Sequence, residues 1–144
     1  MIRETKNRIF DYGRVEYCGD FYTLQLHIDA WPTYYKRRAP CSSKTRDVIN
    51  PYVIFLGIHV KVVDKWKDTL RTYMSCRDVS ERMLDLCEGT MAFQIARDLA
   101  DKYLGGDVSR REVRLDKKDT ELLECLFKEN LFTDKGEYCD EKAG

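Results

Sequence analysis

The chain has 144 residues, and its 25 basic and 25 acidic side chains give a formal net charge of zero. That length fits one domain able to bury a core without metal or disulfide staples, and a hydrophobic content of 43% is too high for a disordered chain. Zero net charge excludes a whole-molecule field that would gather nucleic acid or membrane, so any such binding must rest on a local patch.

The first residues, Met1 to Arg8, are charged and lack the apolar centre of a signal peptide. No apolar run reaches the length of a membrane span. The expectation is a cytoplasmic protein. Six cysteines are present: Cys18, Cys41, Cys76, Cys87, Cys125 and Cys139. They show no CxxC pair and no Cys/His zinc spacing, so free, mostly buried thiols are expected, and no cofactor is implied.

Residues 8 to 31 read as a β-hairpin turning at Cys18-Gly19-Asp20. Its second half alternates, with Tyr22, Leu24, Leu26, Ile28 and Ala30 on one face and Thr23, Gln25, His27 and Asp29 on the other. Pro32 ends the strand, because proline cannot donate to a ladder. Residues 33 to 46 carry five cations and no acid without an apolar period, which reads as an exposed basic loop.

The next stretch, 52 to 63, is the most apolar in the chain and rich in β-branched residues. Tyr52, Ile54, Leu56, Ile58, Val60 and Val62 make one greasy face of a central strand, while His59 and Lys61 fall on the other. Beyond it the apolar period changes to that of helices. One is expected from Asp64 to about Met74, with Trp66, Leu70, Tyr73 and Met74 inward. A longer one is opened by the capping spacing Asp78 to Glu81, with Met83, Cys87, Met91, Ile95, Leu99 and Tyr103 recurring every four residues. Gly89 lies inside it and marks a junction between two helices. Glu112 to Leu115 reads as an edge strand or linker, and Asp116 to Leu131 as a further helix.

The implied fold class is α+β: a small antiparallel sheet, made of the N-terminal hairpin and the central strand 52–63, covered on one face by three or four C-terminal helices. Residues 1–132 form a single domain, and 133–144 a polar C-terminal tail with little structure.

No motif assigns a chemistry. The basic loop is the foremost candidate surface. Trp31, Tyr34, Tyr35, Lys36, Arg37, Arg38, Lys44 and Arg46 combine the aromatic and cationic side chains that protein interfaces and nucleic-acid grooves both favour. A solvated surface loop has the same composition. The other candidate is His27, Asp29 and His59, which would form an acid-base or metal cluster if the two strands pair in a suitable register; two histidines on a solvated sheet face is the plainer reading. Charge is also uneven: residues 1 to 46 hold nine basic and five acidic side chains, residues 116 to 144 five and nine. Opposite signs at the two ends are compatible with head-to-tail homo-oligomers.

The expected function is therefore that of a small non-catalytic binding or inhibitory protein, acting through a surface contact with a protein or ribonucleoprotein partner and not with a membrane. Its profile is common among inhibitors encoded by viruses and mobile elements. The alternatives are a nucleic-acid-binding module using residues 33–46, and an enzyme with a His/Asp site on the sheet face.

Overall fold

The computed structural model describes residues 2–17, 20–38, 44–64, 69–72, 89–105 and 108–139. Three long strands come first: β1 (Lys6–Tyr17), β2 (Asp20–Arg38) and β3 (Thr45–Asp64). Each pairs antiparallel with the next. Two short strands complete the five-stranded sheet by sharing the far edge of β3. β4 (Thr69–Thr72) pairs with Lys61–Asp64, and β5 (Arg110–Arg114) pairs with Val53–Gly57.

The core lies on the even-numbered face. Leu24, Leu26, Ile28 and Ala30 of β2 and Ile54, Leu56, Ile58 and Val60 of β3 are all buried. Burying each of the larger side chains contributes on the order of 2 kcal/mol. Tyr52, expected on this face, is 62% exposed. It follows a bend in which the side-chain oxygen of Asn50 accepts from the N–H groups of Tyr52 and Val53, at 3.0 and 3.3 Å.

Two helices cover that face among the described residues, not three or four. The first, α1 (Met91–Leu99), runs on through a π-helical turn, Ala100–Leu104, and stops at Gly105, whose φ is 76°. It buries Ala92, Phe93, Ala96 and Leu99, while Met91 faces out. The second, α2 (Lys117–Phe127), is capped by Asp116, whose carboxylate accepts from the N–H of Asp119 at 2.7 Å. It buries Leu123 and Leu126.

The helix expected from Asp64 to Met74 is corrected at its centre, since Thr69–Thr72 is a strand on the edge of β3. Over so short a stretch a helical period is weakly determined, and the open ladder of β3 offers the backbone its hydrogen bonds. Trp66, Tyr73, Met74, Met83 and Cys87 lie outside the described residues, as do Cys18, Cys41 and Cys76. Cys125 and Cys139 are free and half-buried.

The C-terminal segment is also more ordered than its polarity implies. Phe132 bridges to Tyr138, and its ring meets Phe10 edge-on with centroids 6.1 Å apart. The Asp134 carbonyl accepts from the N–H of Asp11 at 2.8 Å, and the Gly136 carbonyl accepts from the N–H of Ala92 at 3.0 Å. Residues 132–139 thus clasp β1 to the first turn of α1.

Arg8 of β1 makes the second tie. It is 9% exposed and lies over the Phe10 ring. Its guanidinium donates to the carbonyls of Leu126, Lys128, Glu129 and Phe132 at 3.1, 2.8, 3.4 and 2.7 Å. The last turn of α2 has no basic residue of its own, so Arg8 supplies from across the core the positive charge that helix C-termini favour.

Candidate functional site

The register of β2 against β3 settles whether the histidines meet. His27 stands directly opposite His59, and Asp29 opposite Gly57. The imidazole rings stack, with centroids 5.4 Å apart and planes 16° from parallel. His27 Nε2 lies 3.0 Å from Gln25 Oε1. That oxygen can only accept, so Nε2 carries the proton. Asp29 is engaged by Arg110, whose Nη2 donates to Oδ2 at 3.4 Å. Gly57 makes room for this pair, since a Cβ there would stand 3.2 Å from Arg110 Nε.

Both imidazoles are uncharged at neutral pH. Burial, the nearby Lys61 ammonium and His59 lower the His27 pKa to about 4. Burial and Lys61 also hold His59 below its ordinary value, against an upward pull from Asp29. The rings are 8% and 7% exposed. A substrate would have to open this face before reaching them. Among the described residues no three His, Cys, Asp or Glu side chains come together as metal ligands. A groove of about 350 Å³ beside α2, bounded by Tyr52, Leu115, Lys117 and Glu121, touches none of the three.

Where it is described, the basic stretch is a β-ribbon and not a loop; residues 39–43 lie outside the described residues. β2 continues through Pro32, after which the register shifts, and then Tyr34 pairs with Ile49, Tyr35 with Val48, Lys36 with Asp47, Arg37 with Arg46, and Arg38 with Thr45. Pairing of β1 with β2 ends at Ala30. Beyond it one edge of β2 has no partner strand among the described residues, so a residue without an N–H is accommodated. The arm spans five residue pairs, which is about 15 Å of strand. Tyr34 and Tyr35 are 58% and 44% exposed, and Lys36, Arg37, Arg38, Lys44 and Arg46 are exposed as well. Arg37 and Arg46 stand opposite one another, and Tyr35 shares their face by alternation.

Trp31, at the base of the arm, is half-buried. Its ring centroid lies 6.0 Å from that of Phe55 on β3, and the Arg110 guanidinium sits 4.4 Å above the Trp31 ring. Phe55 and Arg110 escape a reading by composition. The signal for Arg110 was the alternation Arg110, Glu112, Arg114 around the buried Val113. Comparison of the chain with protein-family models, curated proteins and solved structures finds no match. Among the described residues no helix is long and apolar enough to cross a membrane.

Proposed function

We propose that this protein is a non-catalytic binding protein that docks its two-stranded basic arm on an anionic macromolecular partner. The supporting observation is the placement of Arg37 directly opposite Arg46. Like charges at directly opposed cross-strand positions destabilise a ribbon, and no acidic side chain among the described residues forms an ion pair with either. A partner that supplies the missing negative charge turns that repulsion into binding. Tyr35 on the same face adds a ring of the kind that dominates recognition surfaces. The histidine pair, buried and neutral, serves the scaffold beneath.

The test is binding of the whole protein to immobilised heparin, to poly-glutamate and to single-stranded oligonucleotides across a salt gradient. Wild type binds at least one of these polyanions at low salt and releases it as salt rises. Arg46→Glu and the double variant Tyr35→Ala/Arg37→Ala lose the interaction while staying folded. Folded variants that bind as wild type does would refute the arm as the docking element.

A further inference from the structure

Resting on that reading of the arm, we infer that the partner is a single-stranded nucleic acid, and that its bases stack on an aromatic platform at the base of the arm formed by Trp31 and Phe55. Three observations carry this.

The first is location. Along β2, His27, Asp29 and Trp31 share one face by alternation, and Tyr35 and Arg37 continue it into the arm. Exposure rises along that face. The histidines are buried, Trp31 is half-buried, Phe55 is 36% exposed and Tyr35 is 44% exposed. The open part is thus the aromatic part, and the cationic ribbon begins just past the register shift between Pro32 and Tyr34.

The second is geometry. Trp31 and Phe55 are cross-strand neighbours in the same sheet. Their planes are tilted by 60°, so each ring offers its own face; exposed rings on the surface of a sheet are what unstacked bases settle on, and a duplex keeps its base faces hidden. The Arg110 guanidinium carbon sits 4.4 Å from the Trp31 ring centroid, and its Nη2 is bound to Asp29 at 3.4 Å. A guanidinium fixed in that way extends the stacking surface and brings a positive charge to it.

The third is charge complementarity. On β5, Arg110 and Arg114 sit opposite Gly57 and Val53 and flank the platform, while Arg37 and Arg46 lie beyond it on the arm. Against these exposed cations stands the exposed Glu112, since Asp29 is buried and already paired. An extended phosphate backbone passing from β5 across the rings to the arm meets positive charge at both ends. An acidic protein surface would also use the arginines and pack on the rings, but an unstacked strand supplies both flat faces for the rings and phosphates spaced along the whole path from β5 to the arm.

Fluorescence anisotropy of labelled oligouridylate, oligothymidylate and a matched duplex tests this on the full chain, alongside poly-glutamate as a protein-like polyanion. The expected result is salt-sensitive binding of the single strands, weaker binding of the duplex, and a loss of roughly ten-fold in Phe55→Leu, which keeps apolar bulk but removes a stacking face. Trp31→Leu should do the same, and thermal melting of each variant establishes that it is folded. Binding of single strands that Arg46→Glu abolishes but Phe55→Leu and Trp31→Leu leave unchanged would overturn the platform and leave the arm standing. Arm-dependent binding of poly-glutamate alone would overturn the nucleic acid and again leave the arm. Single-strand binding that survives Arg46→Glu but falls in Phe55→Leu would support the platform while refuting the arm.

Discussion

His27 and His59 are directly opposed across β2 and β3, and their rings lie nearly parallel. Two imidazolium ions would repel at that distance, so the stack depends on neutrality. Burial and Lys61 provide it by lowering both pKa values. The pair therefore acts as a piece of core that becomes charged in acid, on a face that is otherwise half polar.

Stability should accordingly depend on pH in a defined direction. An unfolded histidine titrates near 6.5, while His27 in the fold titrates at about 4. Between those values the unfolded chain takes up a proton that the folded chain refuses, so unfolding becomes easier as pH falls. The stabilisation is complete above about pH 6.5 and lost by about pH 4, amounting to roughly 3 kcal/mol for His27; His59 adds to it with the same sign. Urea unfolding at stepped pH reads this directly. A His27→Gln/His59→Gln variant should lose much of the slope over that window, and an unchanged slope would exclude the pair as its origin.

Arg8 gives a prediction about the core. Its four carbonyl partners include the last turn of α2 and Phe132, so removing it takes a donor from all four, of which Lys128 keeps the Leu131 N–H. Arg8→Met should lower the unfolding free energy by about 3 kcal/mol. Arg8→Lys should recover only part of this, because an ammonium lacks the planar fork that reaches several acceptors at once. Urea midpoints for the two variants check it; a lysine variant as stable as wild type would show that charge alone suffices.

The C-terminal clasp is tested at Gly136. Its φ is 81°, and an added Cβ would lie 2.6 Å from the Tyr12 hydroxyl and 3.2 Å from the Cβ of Ala92. Gly136→Ala should cost about 2 kcal/mol. Tyr12→Phe in that background should restore some stability by removing the clash but not the backbone strain. Gly89→Ala, where nothing lies within 4 Å of the added atom, serves as the neutral comparison. Equal melting temperatures for the two alanine variants would contradict the clasp.

These features were unequally legible beforehand. Strict alternation in Leu24 to Ala30 and in Ile54 to Val60 marks the buried face, and it puts His27, Asp29 and His59 on the opposite one. Their meeting depends on register, which alternation leaves open because a shift by two residues satisfies it equally well. The arm was hidden because Tyr34 to Arg38 has no apolar period; its strands are joined by backbone pairing, which composition does not record. The tail was hidden because its order rests on carbonyl contacts and on a glycine conformation. In β4, four residues inside the stretch from Asp64 to Met74 read as helix because so short a run does not fix a period, and the ladder of β3 overrides it.

The arm itself yields a prediction that separates function from stability. Arg37 and Arg46 repel in the free protein, so Arg46→Glu replaces a like-charged cross-strand pair with an opposite-charged one. Such pairs differ by a few tenths to about 1 kcal/mol, so the variant should melt at the same temperature as wild type or slightly higher. Added salt should narrow the difference, because exposed charges are screened. A substitution that merely damaged the ribbon would lower the melting temperature as it abolished binding. If the arm instead carries its repulsion for a partner, the variant should gain stability while losing affinity for polyanions. The reciprocal exchange, Arg37→Glu with Arg46 kept, should behave alike. Arg37→Glu/Arg46→Glu restores like-charge repulsion with the opposite sign, so it should fall back to wild-type stability or below and still fail to bind. Melting curves at low and high salt, set beside the binding curves of the same three proteins, read out both halves. A loss of stability in both single variants would show that the arginines hold the arm together and are not placed there for a partner.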